Sequence, residues 1–243
     1  MPGSIVDIPT PDGVADSYVA RPDDGDHPGV LFLMDAYGLR PAIEEMADRI
    51  AADGYVVLAP NLFYRAGRAP VLPMPDFRDP DWRSNFFGQV RPLMQELTPE
   101  RVASDSGAYL NYLSGPAAIT GYCLGARVGW RMATAHPDQV AALAGFHGGL
   151  LVTDAPDSPH RSAGDLRAEL YFGFADQDKS MTAEQIATLE QALDEAGANY
   201  RSEVYEGAAH GYTMADTPAY NEGASERHFA ELRALLERTL TPA

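Results

Sequence analysis

The sequence predicts an α/β protein built on a mostly parallel central sheet with helices on both faces. Three observations carry this. Short apolar runs, such as residues 29–34 (GVLFLM), 55–59 (YVVLA) and 117–122 (AAITGY), alternate along the chain with longer stretches. In those stretches apolar residues recur every three or four positions, as at Ile43, Met46, Ala47 and Ile50. The third is size: 243 residues, 45% apolar and 22% charged, suit a globular α/β unit with one core. The chain therefore reads as a single domain over residues 1–243.

Each element has a local reason. Residues 4–8 and 14–20 read as two strands around Pro11, Asp12 and Gly13, because Asp-Gly between β-formers favours a tight reversal. A buried strand at 29–34 precedes a helix at 41–53, which Gly54 stops. The strand at 55–59 ends at Pro60. Residues 61–99 then break the rhythm, with prolines at 70, 73, 75, 80, 92 and 99 among Phe63, Tyr64, Phe77, Trp82, Phe86 and Phe87. So many prolines exclude one long regular element, and an insertion of this length reads as a pocket wall or lid. Beyond it the pattern gives a helix (100–113), strand (117–122), helix (124–135), strand (140–146), loop (147–167), strand (169–174), helix (183–196), strand (200–205) and closing helix (219–240).

Charge narrows the partners. Lys and Arg number 18 against 35 Asp and Glu, a formal charge of -17, which repels phosphate backbones and anionic lipid headgroups. Neither nucleic acid nor a membrane is an expected partner; a small molecule is, with the protein a monomer or a homo-oligomer. The start MPGSIVDIPTPDG has no basic segment followed by an apolar one, so a cytoplasmic location is expected. The single cysteine, Cys123, has no internal disulfide partner. The histidines lack metal-ligand spacing and no phosphate-binding glycine run is present, so no metal and no cofactor is expected.

Cys123 lies in Gly121-Tyr122-Cys123-Leu124-Gly125, between a strand and a helix. A nucleophile at such a turn adopts a strained backbone, and its neighbours two residues away must lack side chains for the chain to pass. The helix that begins at Leu124 points its unpaired N–H groups at the sulfur and favours negative charge there. A buried structural cysteine in a glycine turn would give the same five residues. Two further residues discriminate. Asp178 follows the strand at 169–174 and leads through Ser180 and Met181 into a helix, with Asp176 as the competing acid. His210 follows the strand at 200–205 in a loop of small residues. Nucleophile, acid and histidine thus occur in the chain order of an α/β-hydrolase. His147, after the strand at 140–146, sits at the same sheet edge and either lines the pocket or caps the strand. His27, His136, His160 and His228 read as surface.

These residues resemble the dienelactone hydrolase family of cysteine-dependent α/β-hydrolases, from about Gly29 to the C-terminal helix. The resemblance implies a triad of Cys123, Asp178 and His210. It also implies an acid that pairs with the resting thiol, which falls on Asp35 in Asp35-Ala36-Tyr37-Gly38, a segment the family usually writes with glutamate. The oxyanion hole falls on the backbone N–H groups of Ala36 and Leu124. Arginines of the variable loop hold substrate carboxylate in the family; Arg65 is the leading candidate here, with Arg68 and Arg83 behind it, and Tyr37, Tyr64 and His147 complete the expected substrate contacts. The expected activity is hydrolysis of esters or lactones through an acyl-enzyme. A redox-sensing or non-catalytic thiol protein, and a general carboxylesterase or thioesterase, are the alternatives.

Overall fold

The structure, a computed structural model, describes residues 3–23 and 25–240. Met1 and Pro2, the first two residues of the segment read above for a leader, lie outside the described residues. The strands are β1 (Ser4–Thr10), β2 (Gly13–Ala20), β3 (Gly29–Leu33), β4 (Val56–Pro60), β5 (Ala117–Tyr122), β6 (Val140–Phe146), β7 (Glu169–Gln177) and β8 (Tyr200–Ala209). They form one sheet in the order β1-β2-β4-β3-β5-β6-β7-β8. β1 pairs antiparallel with β2, and β2 antiparallel with β4; every later pairing is parallel.

The helices are α1 (Pro41–Ala51), α2 (Trp82–Gln95), α3 (Pro99–Tyr112), α4 (Leu124–Ala135), α5 (Ala183–Ala196) and α6 (Glu222–Thr239). Alternation along a strand sends successive side chains to opposite faces, and both faces are covered. On one, Gly129 of α4 lies against Ile119, Leu143 and Leu33, so closely that an added Cβ would sit 2.9 Å from Ile119 and Leu143. On the other, His228 of α6 hydrogen-bonds the Tyr122 hydroxyl and stacks edge-on against Phe146 at 4.5 Å. α1 shares that second face, since its Arg49 pairs with Glu226 and stacks on Phe229 of α6. Strands buried on both faces explain the continuous apolar runs in the sequence.

Three expectations change. Residues 61–99 contain the helix α2, which the prolines hid: Trp82, Phe86, Val90 and Leu93 recur at helical spacing, and Pro92 falls in its last turn. β7 and β8 run on to Gln177 and Ala209, because their pairing continues past an irregularity between Ala175 and Gln177 that Asp176 secures by accepting the Gly207 N–H at 2.8 Å. His228, read as surface, is fully buried, with Nδ1 on the Ser225 carbonyl and Nε2 on Tyr122.

Candidate active site

Sheet register gathers the candidate residues before any side chain is considered. Leu33 is level with Gly121, Tyr122 with Phe146, Phe146 with Gly173, and Gln177 with Ala209. Asp35, Cys123, His147, Asp178 and His210 each follow one of these residues by one or two positions. All five therefore emerge at the carboxyl edge of the parallel strands, where open α/β sheets hold their ligands.

Cys123 forms the turn between β5 and α4 with φ 54° and ψ -110°, a left-handed conformation that costs a non-glycine residue about 1–3 kcal/mol. Its N–H donates to the Phe146 carbonyl at 3.1 Å, which helps to hold the strain. The two glycines are required sterically. A Cβ on Gly121 would lie 2.3 Å from the Gly125 carbonyl oxygen, and one on Gly125 would lie 2.1 Å from that of Leu33. The turn leaves Cys123 half-buried in a cavity of about 300 Å3 with Asp35, Ala36, Tyr37, His147 and His210. A confluent cavity of about 510 Å3 adds Leu124 and Asp178. Among the described residues the N–H groups of Ala36 and Leu124 have no backbone acceptor, which leaves both available to an oxyanion.

His210 follows β8 in a turn closed by the Tyr212 N–H on the Ala209 carbonyl, with Gly211 at φ 93°. The structure brings Asp178, not Asp176, to it: His210 Nδ1 lies 2.6 Å from Asp178 Oδ2. The other carboxylate oxygen accepts from the Ser180 N–H and hydroxyl, both at 2.7 Å. Ser180 was not among the expected site residues, although Asp-x-Ser is a recognisable turn sequence. Burial tends to raise Asp178, but the His210 and Ser180 hydrogen bonds outweigh it and hold the acid below its usual range. Burial likewise opposes charge on His210. The negative charge of Cys123, the Asp178 hydrogen bond and contact with the thiol overcome it and raise the imidazole well above its ordinary value.

His147 is fully buried beside this pair, its ring 5.3 Å from that of His210. Its Nε2 meets the Thr213 hydroxyl at 2.7 Å, while Nδ1 has no partner among the described residues. Burial and the neighbouring histidines hold it well below its ordinary value, so it is neutral.

Asp35 has a different partner from the expected thiol. Arg40 donates to both its oxygens, at 2.7 and 3.2 Å, and the Tyr37 N–H donates to Oδ1 at 2.9 Å. Arg40 also grips Asp216 through Nε at 2.7 Å and Nη2 at 3.1 Å. No hydrogen bond joins Asp35 to Cys123 among the described residues. The shorter aspartate thus anchors Arg40 and holds the Asp35–Tyr37 segment that carries the Ala36 N–H. Burial raises Asp35, with Arg40 opposing the shift.

The pocket wall corrects two further expectations. Arg65 does not reach the cavity; it is held by Asp12 at 2.7 Å and Asp105 at 2.8 Å. Tyr64 is buried beside it, its hydroxyl donating to Asp105 and accepting from Thr10. Both acids come from elsewhere in the chain, Asp12 from the β1–β2 turn and Asp105 from α3, so only folding brings them to Arg65. Arg68 pairs with Asp7. Arg83 of α2 does line both cavities, as does Phe87, while Phe77 and Trp82 line the smaller one. Tyr37 packs against Phe86 at 4.8 Å and Phe77 at 6.1 Å, which closes this side as an aromatic wall.

A sequence profile of the dienelactone hydrolase family matches residues 15–240. The chain is 30% identical to a Salmonella typhi protein named "Putative carboxymethylenebutenolidase", over 91% of this chain and 82% of that one. It is 28% identical to the mouse "Carboxymethylenebutenolidase homolog", over 81% of this chain and 75% of that protein. Among solved structures, a Klebsiella pneumoniae protein described as a "Putative Dienelactone Hydrolase" superposes with a TM-score of 0.83 at 24% identity, covering 96% of this chain and 97% of that one. No helix among the described residues is long and apolar enough to cross a membrane. Sequence match and sheet topology agree that the chain belongs to the dienelactone hydrolase family and is a hydrolase of the α/β-hydrolase fold.

Proposed function

We propose that the protein hydrolyses carboxylic esters or lactones through an acyl-enzyme on Cys123, with His210 as acid and base and Asp178 as its orienting partner. One observation carries the reading: a strained cysteine, a histidine held by a buried acid and two unpaired backbone N–H groups meet around one cavity.

The steps follow from the charges. Cys123 thiolate attacks the carbonyl carbon, and the oxygen gathers charge against the Ala36 and Leu124 N–H groups, each worth about 3 kcal/mol if well placed. The tetrahedral intermediate collapses as protonated His210 gives its proton to the leaving oxygen. Acylation removes the sulfur's negative charge, one of the causes that raise His210. The imidazole then loses its proton more readily and becomes the base that activates water for deacylation. Asp178 stays ionised throughout and favours the charged imidazole. Thiolate is a good leaving group, so lactones and enol or aryl esters suit this centre better than amides. Carboxymethylenebutenolide hydrolysis, after which the relatives are named, is within that class.

The test is an assay with p-nitrophenyl acetate and a dienelactone, on the protein and on Cys123→Ala, with mass spectrometry for an acyl adduct. Loss of turnover in Cys123→Ala and an adduct on the Cys123 peptide are expected. Equal rates in the two proteins would refute the nucleophile. Rapid peroxide modification with no acyl burst would instead favour a redox thiol.

A further inference from the structure

Arginines in this chain usually find a carboxylate, as expected with 35 acids to 18 bases. Six cations form no ion pair among the described residues, Arg21, Arg83, Arg91, Arg127, Arg161 and Lys179. Arg21 and Arg161 lie apart, whereas the other four gather around one region. Arg83, Arg127 and Lys179 line the cavity that holds Cys123. Arg91 and Arg127 line an adjoining cleft of about 600 Å3, joined to that cavity along Phe87, Met94, Arg127 and Leu150. The acid in the cleft wall, Asp157, is already held by Arg131 at 2.8 Å. A molecule with a strongly negative surface therefore keeps a local concentration of uncompensated positive charge beside its nucleophile.

Arg127 stands at the throat between the two spaces. It follows Cys123 by one turn of α4, about 6 Å along the helix axis. Arg127 is half-buried and its guanidinium has no hydrogen-bonded partner among the described residues; burial and the charge of Arg131 work against its own charge and outweigh the opposing pull of Cys123 and Asp157. An anion there would relieve that cost, and a planar guanidinium can hold carboxylate or phosphate by two parallel bonds. Arg91, which lines the same cleft, comes from α2, the helix that walls the catalytic cavity with Arg83 and Phe87.

Building on the ester-hydrolase reading, we propose that this cleft is a distal anion subsite: the substrate is an extended ester or lactone whose far end carries a carboxylate or phosphate, held between Arg127 and Arg91 while the reacting carbonyl sits at Cys123. Apolar Phe87, Met94 and Leu150 line the passage and accommodate a short hydrocarbon spacer.

Two measurements test this. Calorimetry on the full-length Cys123→Ala protein uses suberate, hexyl phosphate and uncharged octanamide. The anions are expected to bind more tightly than octanamide, and about tenfold more weakly once Arg127→Gln or Arg91→Gln is added; the tighter of the two anions identifies the headgroup. Failure of both anions to bind, or equal binding with and without the substitutions, overturns the subsite. Kinetics then compare p-nitrophenyl monoesters of dicarboxylic acids with neutral p-nitrophenyl esters of equal length. The KM ratio of anionic to neutral ester is expected to rise about tenfold in Arg127→Gln, whereas an equal change for both series refutes the assignment. Arg91 lies on the exposed side of α2, so Arg91→Gln decides the matter if Arg127→Gln does not fold. Absence of any ester hydrolysis by the unmodified protein would defeat the hydrolase reading, while the calorimetry would still decide the subsite.

Discussion

Replacing Arg40 with methionine tests how the acid loop is held. The Arg40 and Asp35 side chains are each 4% exposed and are joined by two hydrogen bonds, and the same guanidinium makes two more to Asp216. Methionine fills much of the space and removes the charge. Asp35 is then left buried, with only the Tyr37 N–H and the like charge of Asp216 nearby. Breaking a buried pair from one side costs about 3–5 kcal/mol, or about 6–20 °C in Tm for a chain of this size. Arg40 lowers Asp35 in the intact protein while burial raises it, so its loss pushes the carboxyl higher still. A carboxyl raised in the folded state binds its proton more readily there than in the unfolded chain. Stability of Arg40→Met should therefore fall as pH rises from the ordinary carboxylate value through the folded one, by up to about 1.4 kcal/mol per pH unit. Urea unfolding at pH 5 and pH 8 measures this. Adding Asp35→Asn should recover about 2 kcal/mol and flatten the pH dependence. A loss below about 1 kcal/mol, or one that Asp35→Asn does not change, would refute the account of Asp35 as the anchor of Arg40.

Two further outcomes are expected. Asp178→Asn should lower kcat by about a thousandfold or more, measured by ester turnover. It should also remove stability with a defined window: the charged His210 contributes fully below its ordinary value and is lost as pH rises through its raised one, while Asp178 contributes above its ordinary value and is lost as pH falls through its lowered one. The difference between Asp178→Asn and the unmodified protein should thus peak between these limits and shrink on either side in thermal melts; a pH-independent difference would contradict the ion pair. Arg65→Gln should cost about 1–2 kcal/mol of stability, because Arg65 ties Asp12 to Asp105 in a partly buried setting, yet leave kcat/KM within about twofold; a tenfold loss of kcat/KM would return Arg65 to the substrate site.

Much of the candidate site was legible in one dimension because its demands are local. Gly121 and Gly125 flank Cys123 since any Cβ there would collide with backbone, and that constraint shows in the residues themselves. Asp178 follows an apolar run and His210 a short segment bounded by turn residues, both of which read as strands, so sheet register brings them to one edge. Helix α2 was obscured because proline count outweighed the spacing of Trp82, Phe86, Val90 and Leu93. His228 was misjudged for another reason: its burial depends on Tyr122 lying opposite, a contact made across more than a hundred positions of sequence.

The sequence by itself determined the alternation of strands and helices, the glycine-flanked cysteine turn and the order of cysteine, acid and histidine, because each is enforced by neighbours along the chain. Tertiary structure alone decided the partners of the charges. Arg65 and Arg83 both lie in the same insertion, yet folding brings Asp12 and Asp105 to the first and leaves the second lining the cavity that holds Cys123. Asp35 is adjacent to the cavity, but Arg40 claims its carboxylate because the buried pair satisfies two charges that water can no longer reach. An ion pair forms between groups that the folded backbone brings within about 4 Å, and that proximity is a property of the packed chain, not of residue order.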